Sequence, residues 1–252
     1  MGKRTAPAGV AEAHSLLDLM DQTRPEPAAA GGEGHRARMR ARLLESGPGA
    51  LADHELIEML LFLALPRRDT KPIAWALIDR FGGFGPAISA PIPDLLQIDG
   101  LGEAGAAALK IVQAATQRLL RGNVMQRPVM NNWDQLIDYL TAVVGHEKVE
   151  QFRVLFLDNR NRMVADEVLG RGTLNHAPVY PREVVKRALD RHAAALILVH
   201  NHPSGDPTPS REDVAMTREV QRAAEALRIT VHDHIIMASG RWVSFRREGL
   251  LS

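Results

Sequence analysis

Two histidines one residue apart, His200 and His202, stand at the end of an apolar run over residues 194–199. On extended backbone, residues i and i+2 project from the same face, so the two imidazoles can address one point. Imidazole is the commonest protein ligand for zinc, and a pair of rings offers two nitrogens to one ion. Pro203-Ser204-Gly205-Asp206-Pro207-Thr208-Pro209 follows. Its three prolines restrict the backbone, so little entropy is lost in holding the loop still beside a site. Ser210 then starts a helix with Asp213 in its first turn, which sets a carboxylate at a fixed offset from the His pair. His200, His202 and Asp213 are therefore candidate metal ligands. Each also has a plainer reading. A His-x-His pair is often structural, and Ser210 with Asp213 reads equally as a capping box whose carboxylate returns to the N-cap amide and suits the helix dipole. The combination of pair, braced loop, Ser and Asp points to the metal.

A second pair, His232 and His234 around Asp233, lacks the proline loop and the Ser-x-x-Asp continuation. It is a candidate source of hydrogen bonds that orient metal-bound rings, with Asp233 available to hold a His in one tautomer. A satisfied structural pair is the alternative.

The elements that must carry these residues follow from periodicity. Residues 151–158 read as a buried strand, and the NRNR turn at 159–162 leads to a second strand over 163–169. Pro181 suits the first position of a helix with Val184, Val185, Ala188 and Leu189 on its apolar side. A strand over 193–200, a helix over 210–227 and strands over 229–237 and 242–245 complete the pattern. Strands interleaved with helices predict an α/β fold, a mixed sheet with flanking helices occupying residues 133–252. Residues 35–122 predict a small all-α domain. Leu56, Leu60 and Leu63 recur at helical spacing, as do Ile57 and Leu61, with Asp53 as the expected N-cap; Ile73, Leu77 and Phe81 continue until Gly82-Gly83. Residues 123–132, with Pro128, Asn131 and Asn132, read as a linker. Residues 1–34, rich in Ala, Gly, Pro and Glu, read as a flexible tail.

The spacing His200-x-His202-x(7)-Ser210-x(2)-Asp213 resembles the JAMM (MPN-type) zinc metalloprotease motif. The wording HNHPSGDPTPSREDV over 200–214 resembles the RadC family more closely, as do EQFRVLFLD over 150–158, Pro181-Arg182-Glu183-Val184 and Asp233-His234-Ile235-Ile236. The resemblance runs from residue 35 to the C-terminus. It implies a cytidine-deaminase-like JAMM/MPN sheet in which His200, His202 and Asp213 hold Zn2+ and leave the fourth tetrahedral position to water. It further implies a general base, matched here by Glu150, which on extended backbone shares a face with Phe152, Val154 and Phe156, and an oxyanion donor, matched by Ser210. Glu147, three residues earlier, rivals Glu150 as base; Glu183 is a lesser rival whose place at a helix start suits capping. Glu150 also reads as a solvated strand-end charge.

In the helical part, Leu95-x-x-Ile98-x-Gly100-Leu101-Gly102-x-x-x-Ala106-x-x-Leu109 resembles a helix-hairpin-helix element. Its glycines allow a tight hairpin, and Gly100 and Gly102 are candidate DNA phosphate contacts independent of base sequence. Asp99 and Glu103 flank the hairpin where a cation would help. Arg36, Arg38, Arg40 and Arg42 offer a basic face elsewhere, which as a charge run also reads as a solvated helix.

Across its 252 residues the chain is 45% apolar and 24% charged, which excludes wholesale disorder, and its net charge of +1 gives no global attraction to nucleic acid or membrane. The absence of Cys excludes disulfide scaffolds, thiolate zinc sites and Cys nucleophiles, and suits a cytoplasmic protein. The apolar runs are far short of the roughly 20 residues a membrane helix needs. The function expected is a JAMM-type zinc hydrolase acting on an amide or isopeptide bond of a peptide or protein. The alternatives are a DNA-binding accessory protein of repair or recombination, and a metal-dependent nuclease.

Overall fold

The structure, a computed structural model, describes residues 32–125, 127–172 and 179–251. Apart from Gly32–Gly34, which open the first helix, the expected tail lies outside them. Among the described residues no helix is long and apolar enough to cross a membrane.

The C-terminal half is organised by β3 (Ala195–Asn201), whose seven residues are all buried. Buried on both faces, it must be covered twice. Leu196 and Leu198 pack with Val184, Val185 and Ala188 of α8 (Pro181–Asp190) and Val220 and Ala224 of α9 (Arg211–Glu225). Ile197 and Val199 pack on the other side against Leu136, Leu140 and Val144 of α7 (Trp133–Val144). Each fully buried aliphatic side chain here contributes roughly 1.5–3 kcal/mol by leaving water. Alternation then puts His200 on the α9 face and Asn201 on the α7 face. The sheet runs β2-β1-β3-β4-β5, with β1 (Gln151–Leu157) antiparallel to both β2 (Met163–Arg171) and β3, β3 parallel to β4 (Thr230–Ala238), and β4 antiparallel to β5 (Arg241–Ser244). It is the mixed sheet expected, with helices on both faces.

The N-terminal half is helical throughout: α1 (Gly32–Ser46), α2 (Asp53–Ala64), α3 (Lys71–Phe81), α4 (Phe84–Ser89), α5 (Ile92–Leu95) and α6 (Gly102–Met125). Ile57, Leu61, Leu77, Leu95, Leu101 and Leu109 form its centre. Of the two stripes expected on α2, the Ile57/Leu61 stripe faces inward, whereas Leu63 is 83% exposed. Ala52, not Asp53, is the N-cap of α2; Asp53 instead accepts the Phe84 amide at 2.9 Å and ties α2 to α4. Gly82, at φ 88°, ends α3 in the left-handed region that favours glycine.

Residues 123–132, expected as a linker, do more than connect. Helix α6 continues to Met125, and Val124 and Val129 are buried in the core beneath the sheet. The Val129 amide donates to Asn161 O at 2.8 Å, and Gln117 donates from α6 to Ala142 O of α7 at 2.8 Å. Pro128 and the two asparagines mark only a short turn, because the flanking valines supply the apolar anchor. Lys148 and Asp94 form an ion pair between the two halves.

Candidate metal centre

His200 is the penultimate residue of β3 and buried; His202 follows the strand and is half-buried. Their Nε2 atoms lie 2.8 Å apart. Asp213, in the first turn of α9, brings Oδ1 to 3.3 Å from His200 Nε2 and Oδ2 to 3.5 Å from His202 Nε2. Ser210 is the N-cap of α9, and its capping box is complete: Oγ accepts from Asp213 N at 3.0 Å, while Asp213 Oδ2 accepts from Ser210 N at 2.8 Å and from Ser210 Oγ at 2.7 Å. The cap and the candidate ligand are therefore one arrangement. The box fixes the rotamer that aims the carboxylate at the rings.

The donor set fits zinc. Zinc–ligand bonds near 2.0–2.1 Å in a tetrahedron separate the donor atoms by about 3.3 Å; Asp213 Oδ1 lies at that distance from His200 Nε2, and one donor atom from each of the three residues falls within 4.8 Å of the others. His202 Nδ1 lies 2.8 Å from the Asp206 carbonyl, which can only accept, so Nδ1 carries a proton and the neutral ring has its lone pair on Nε2, free for a metal. Among the described residues, this is the group of His, Asp and Glu side chains able to hold a metal ion.

The electrostatics are coupled. Burial pushes His200 down to about 4, against the pull of the Asp213 charge. His202 is raised, first by its hydrogen bond to Asp213, with lesser help from the Asp206 carbonyl and the charges of Asp213 and Glu150. Burial alone would raise Asp213, but the His202 bond, the charge at His200 and the Ser210 bonds hold it well below the usual carboxylate range.

Glu150 lies just before β1, half-buried. Phe152 pairs with His200 at the end of the antiparallel register, so Glu150 lies just beyond it on the side of His202, near enough for its charge to help raise that ring. Glu147 is exposed beside a cleft of about 310 Å³ that also meets His146, Lys148, His202 and, from the helical half, Arg80 and Phe81. Glu183 is exposed in the first turn of α8, 3.9 Å from Arg182, and is not among the groups around the three ligands.

The second His pair separates. His234 is fully buried, with Nε2 2.8 Å from His200 Nδ1 and Nδ1 2.6 Å from Thr217 Oγ1. His232 turns instead to Asn161 Oδ1, at 2.7 Å. Among the described residues Asp233 bonds no imidazole ring, so the option that it holds a His in one tautomer is not the one taken. Its carboxylate accepts from the His234 and Arg246 amides and from Ser244 Oγ, bracing the β4–β5 hairpin.

Sequence reasoning missed Asn201 and Thr217. Asn201, buried between the two ligands in sequence, accepts from Gln151 N at 2.9 Å and donates to Glu147 O and Val149 O, both at 3.1 Å. It fixes the segment that carries both candidate bases. Strand alternation, which sends it to the opposite face from His200, was the available signal.

In the helical half, Gly100 and Gly102 take φ of 78° and 58° and make the expected hairpin turn. Arg68 donates to Gly100 O at 2.8 Å, bringing a cation to a locally acidic hairpin. Arg36 is spent on the carbonyls of Leu65, Pro66 and Arg68, and Arg42 pairs with Glu55, which leaves Arg38 and Arg40 as the exposed remainder of the basic face.

A family model described as RadC-like JAB domain matches residues 130–250. A UPF0758 protein of Rhodobacter capsulatus is 56% identical over 213 residues, covering 84% of this chain and 100% of that protein. The chain belongs to the RadC family. A UPF0758 protein of Ruegeria pomeroyi is 51% identical over 217 residues, 86% of this chain and 97% of that protein. These alignments are longer than the JAB-matched stretch, so the likeness within the RadC family takes in part of the helical half as well. The JAB domain places the His200, His202 and Asp213 cluster in a zinc-binding fold family.

Proposed function

We propose that this RadC-family protein is a zinc-dependent hydrolase that cleaves an amide or isopeptide bond of a peptide or protein. The observation that carries the reading is the convergence of His200 Nε2, His202 Nε2 and the Asp213 carboxylate at separations suited to a tetrahedral ion. Zinc, when bound, supplies a Lewis acid and lowers the pKa of water to about 7. Glu150, whose charge acts on His202, takes the proton of the attacking water and returns it to the leaving amine. Ser210 Oγ turns its hydrogen from Asp213 to the developing oxyanion, and the Ser210 amide keeps Asp213 in place meanwhile. The cleft beside His202, walled by residues of both halves, is the approach for the substrate chain. With Arg36 and Arg42 engaged internally, the helical half offers less to a DNA backbone than its sequence suggested, and hydrolysis is the reading the observations favour.

The test is metal analysis of the purified full chain, followed by assay on a panel of fluorogenic peptide and isopeptide substrates. One zinc per chain is expected. Glu150→Gln should keep the zinc and lose roughly 10²–10⁴-fold in rate. A chain that takes up no zinc, or a Glu150→Gln variant at full rate, overturns the proposal in its metal or its base.

A further inference from the structure

We infer that Thr217 and His234 are positioning residues that lock His200 into the one tautomer able to bind a metal through Nε2. The inference rests on the zinc reading above. It follows from counting protons. The Thr217 hydroxyl has a single hydrogen and lies 2.6 Å from the Asp213 carbonyl oxygen, which can only accept. The hydrogen therefore goes to Asp213 O. What the hydroxyl turns to His234 Nδ1, 2.6 Å away, is a lone pair, so Nδ1 must carry a proton.

His234 is fully buried between the rings of Phe152 and Phe245, at 5.9 and 4.5 Å between centroids. The adjacent Asp233 carboxylate is committed to backbone amides and Ser244, so among the described residues no carboxylate is bonded to the ring, and burial outweighs the more distant charge of Asp213. A neutral His234 protonated on Nδ1 has a lone pair on Nε2. That lone pair accepts from His200 Nδ1, 2.8 Å away, and leaves His200 Nε2 bare toward His202 and Asp213. Run in the opposite direction, the chain would turn the Thr217 hydrogen to His234 and leave two oxygens 2.6 Å apart with no hydrogen between them. With a cation held between the two bare Nε2 atoms, which lie 2.8 Å apart, the first direction is the one that satisfies every group in the chain of bonds.

Metal-bound imidazoles usually donate their second N–H to a carbonyl or carboxylate. Here the acceptor is another buried imidazole, itself oriented by a threonine one helical turn past the third ligand. Because Thr217 bonds the carbonyl of Asp213, one hydroxyl ties the turn carrying that ligand to the ring behind His200.

The experiment uses full-length protein with 15N-labelled histidine, stripped of metal. Imidazole 1H–15N spectra report the His200 tautomer, and competition with a chromophoric chelator reports zinc affinity. Wild type and Thr217→Ser should show His200 protonated on Nδ1. Thr217→Val should show a mixture with the Nε2-protonated form and bind zinc about 10–100-fold more weakly. Thr217→Val with an unchanged tautomer and zinc affinity within about twofold of wild type overturns the inference. If Thr217→Val does not fold, the wild-type spectrum decides alone, since His200 protonated on Nε2 in that protein is incompatible with the chain of bonds. If wild type takes up no zinc, the zinc reading falls while the tautomer signal still judges the relay.

Discussion

The molecule contains the same motif twice, on neighbouring parallel strands, with opposite outcomes. His200 and His202 stay together at one point; His232 and His234 part, one to the buried relay and the other to Asn161. The backbone explains the difference. β3 ends at Asn201, so His202 lies beyond the sheet and the proline loop can hold its ring back toward His200. On β4 the register jumps: Leu196 pairs with Val231 but Ile197 pairs with Asp233, which leaves His232 as the extra residue of a bulge. The period of two is broken there, and the two rings no longer share a face. Spacing alone therefore does not make a ligand pair; the strand must end, or run regularly, where the pair sits.

The sharpest way to break this comparison is to remove one ring from each pair. His202→Ala should weaken zinc binding by roughly a thousandfold, about 4 kcal/mol, measured by chelator competition. His232→Ala should leave affinity within about twofold, since its ring contacts Asn161 rather than the site. Equal losses would mean that both pairs serve the metal.

What was legible in the sequence divides along the same line. The sheet strands were readable because β3 is apolar from Ala195 to Val199 and runs into a chemically distinctive loop. The capping box was readable because Ser210 and Asp213 stand at fixed helical spacing; that it and the proposed ligand role are compatible required the geometry. The bulge at His232 was not legible, since no Gly or Pro marks it. Nor was the partner of Thr217, because a threonine four residues after an aspartate is ordinary on a helix and gains meaning only when β4 brings His234 against it. The linker expected at 123–132 was shaped by Pro128 and its asparagines, whereas the burial of Val124 and Val129 depends on a sheet formed from residues far along the chain.

Acid sharpens the contrast between buried and half-buried rings in the metal-free protein. Burial holds His200 down to about 4 and His234 well below its ordinary value, whereas both titrate near 6.5 once unfolded. Below that pH the unfolded chain binds more protons, so the stability these two groups contribute is fully present above 6.5 and drains away as pH falls toward 4. His202 has the opposite sign. Raised mainly by its bond to Asp213, it contributes fully below 6.5 and adds no further slope in that window. Two protons at roughly 1.4 kcal/mol per pH unit each set a slope of up to about 2.7 kcal/mol per unit. Urea midpoints between pH 7 and 5, taken with chelator present, check it; a flat profile would show that the rings are already charged in the folded state.

The smallest effect expected concerns the residue between the two ligands. Asn201→Ala removes three hydrogen bonds to the 147–151 segment, one of them fully buried, and leaves the Gln151 amide without its partner. The cost should be roughly 2 kcal/mol in urea unfolding. Because Asn201 faces away from His200 across the strand, zinc affinity should hardly change, while turnover should fall as the segment bearing Glu150 loosens. On the zinc-hydrolase reading, zinc binding and turnover should thus separate at one position, the metal depending on the α9 face of β3 and the base on the α7 face. An Asn201→Ala variant that loses zinc as steeply as His202→Ala would show instead that the two faces of the strand are not independent.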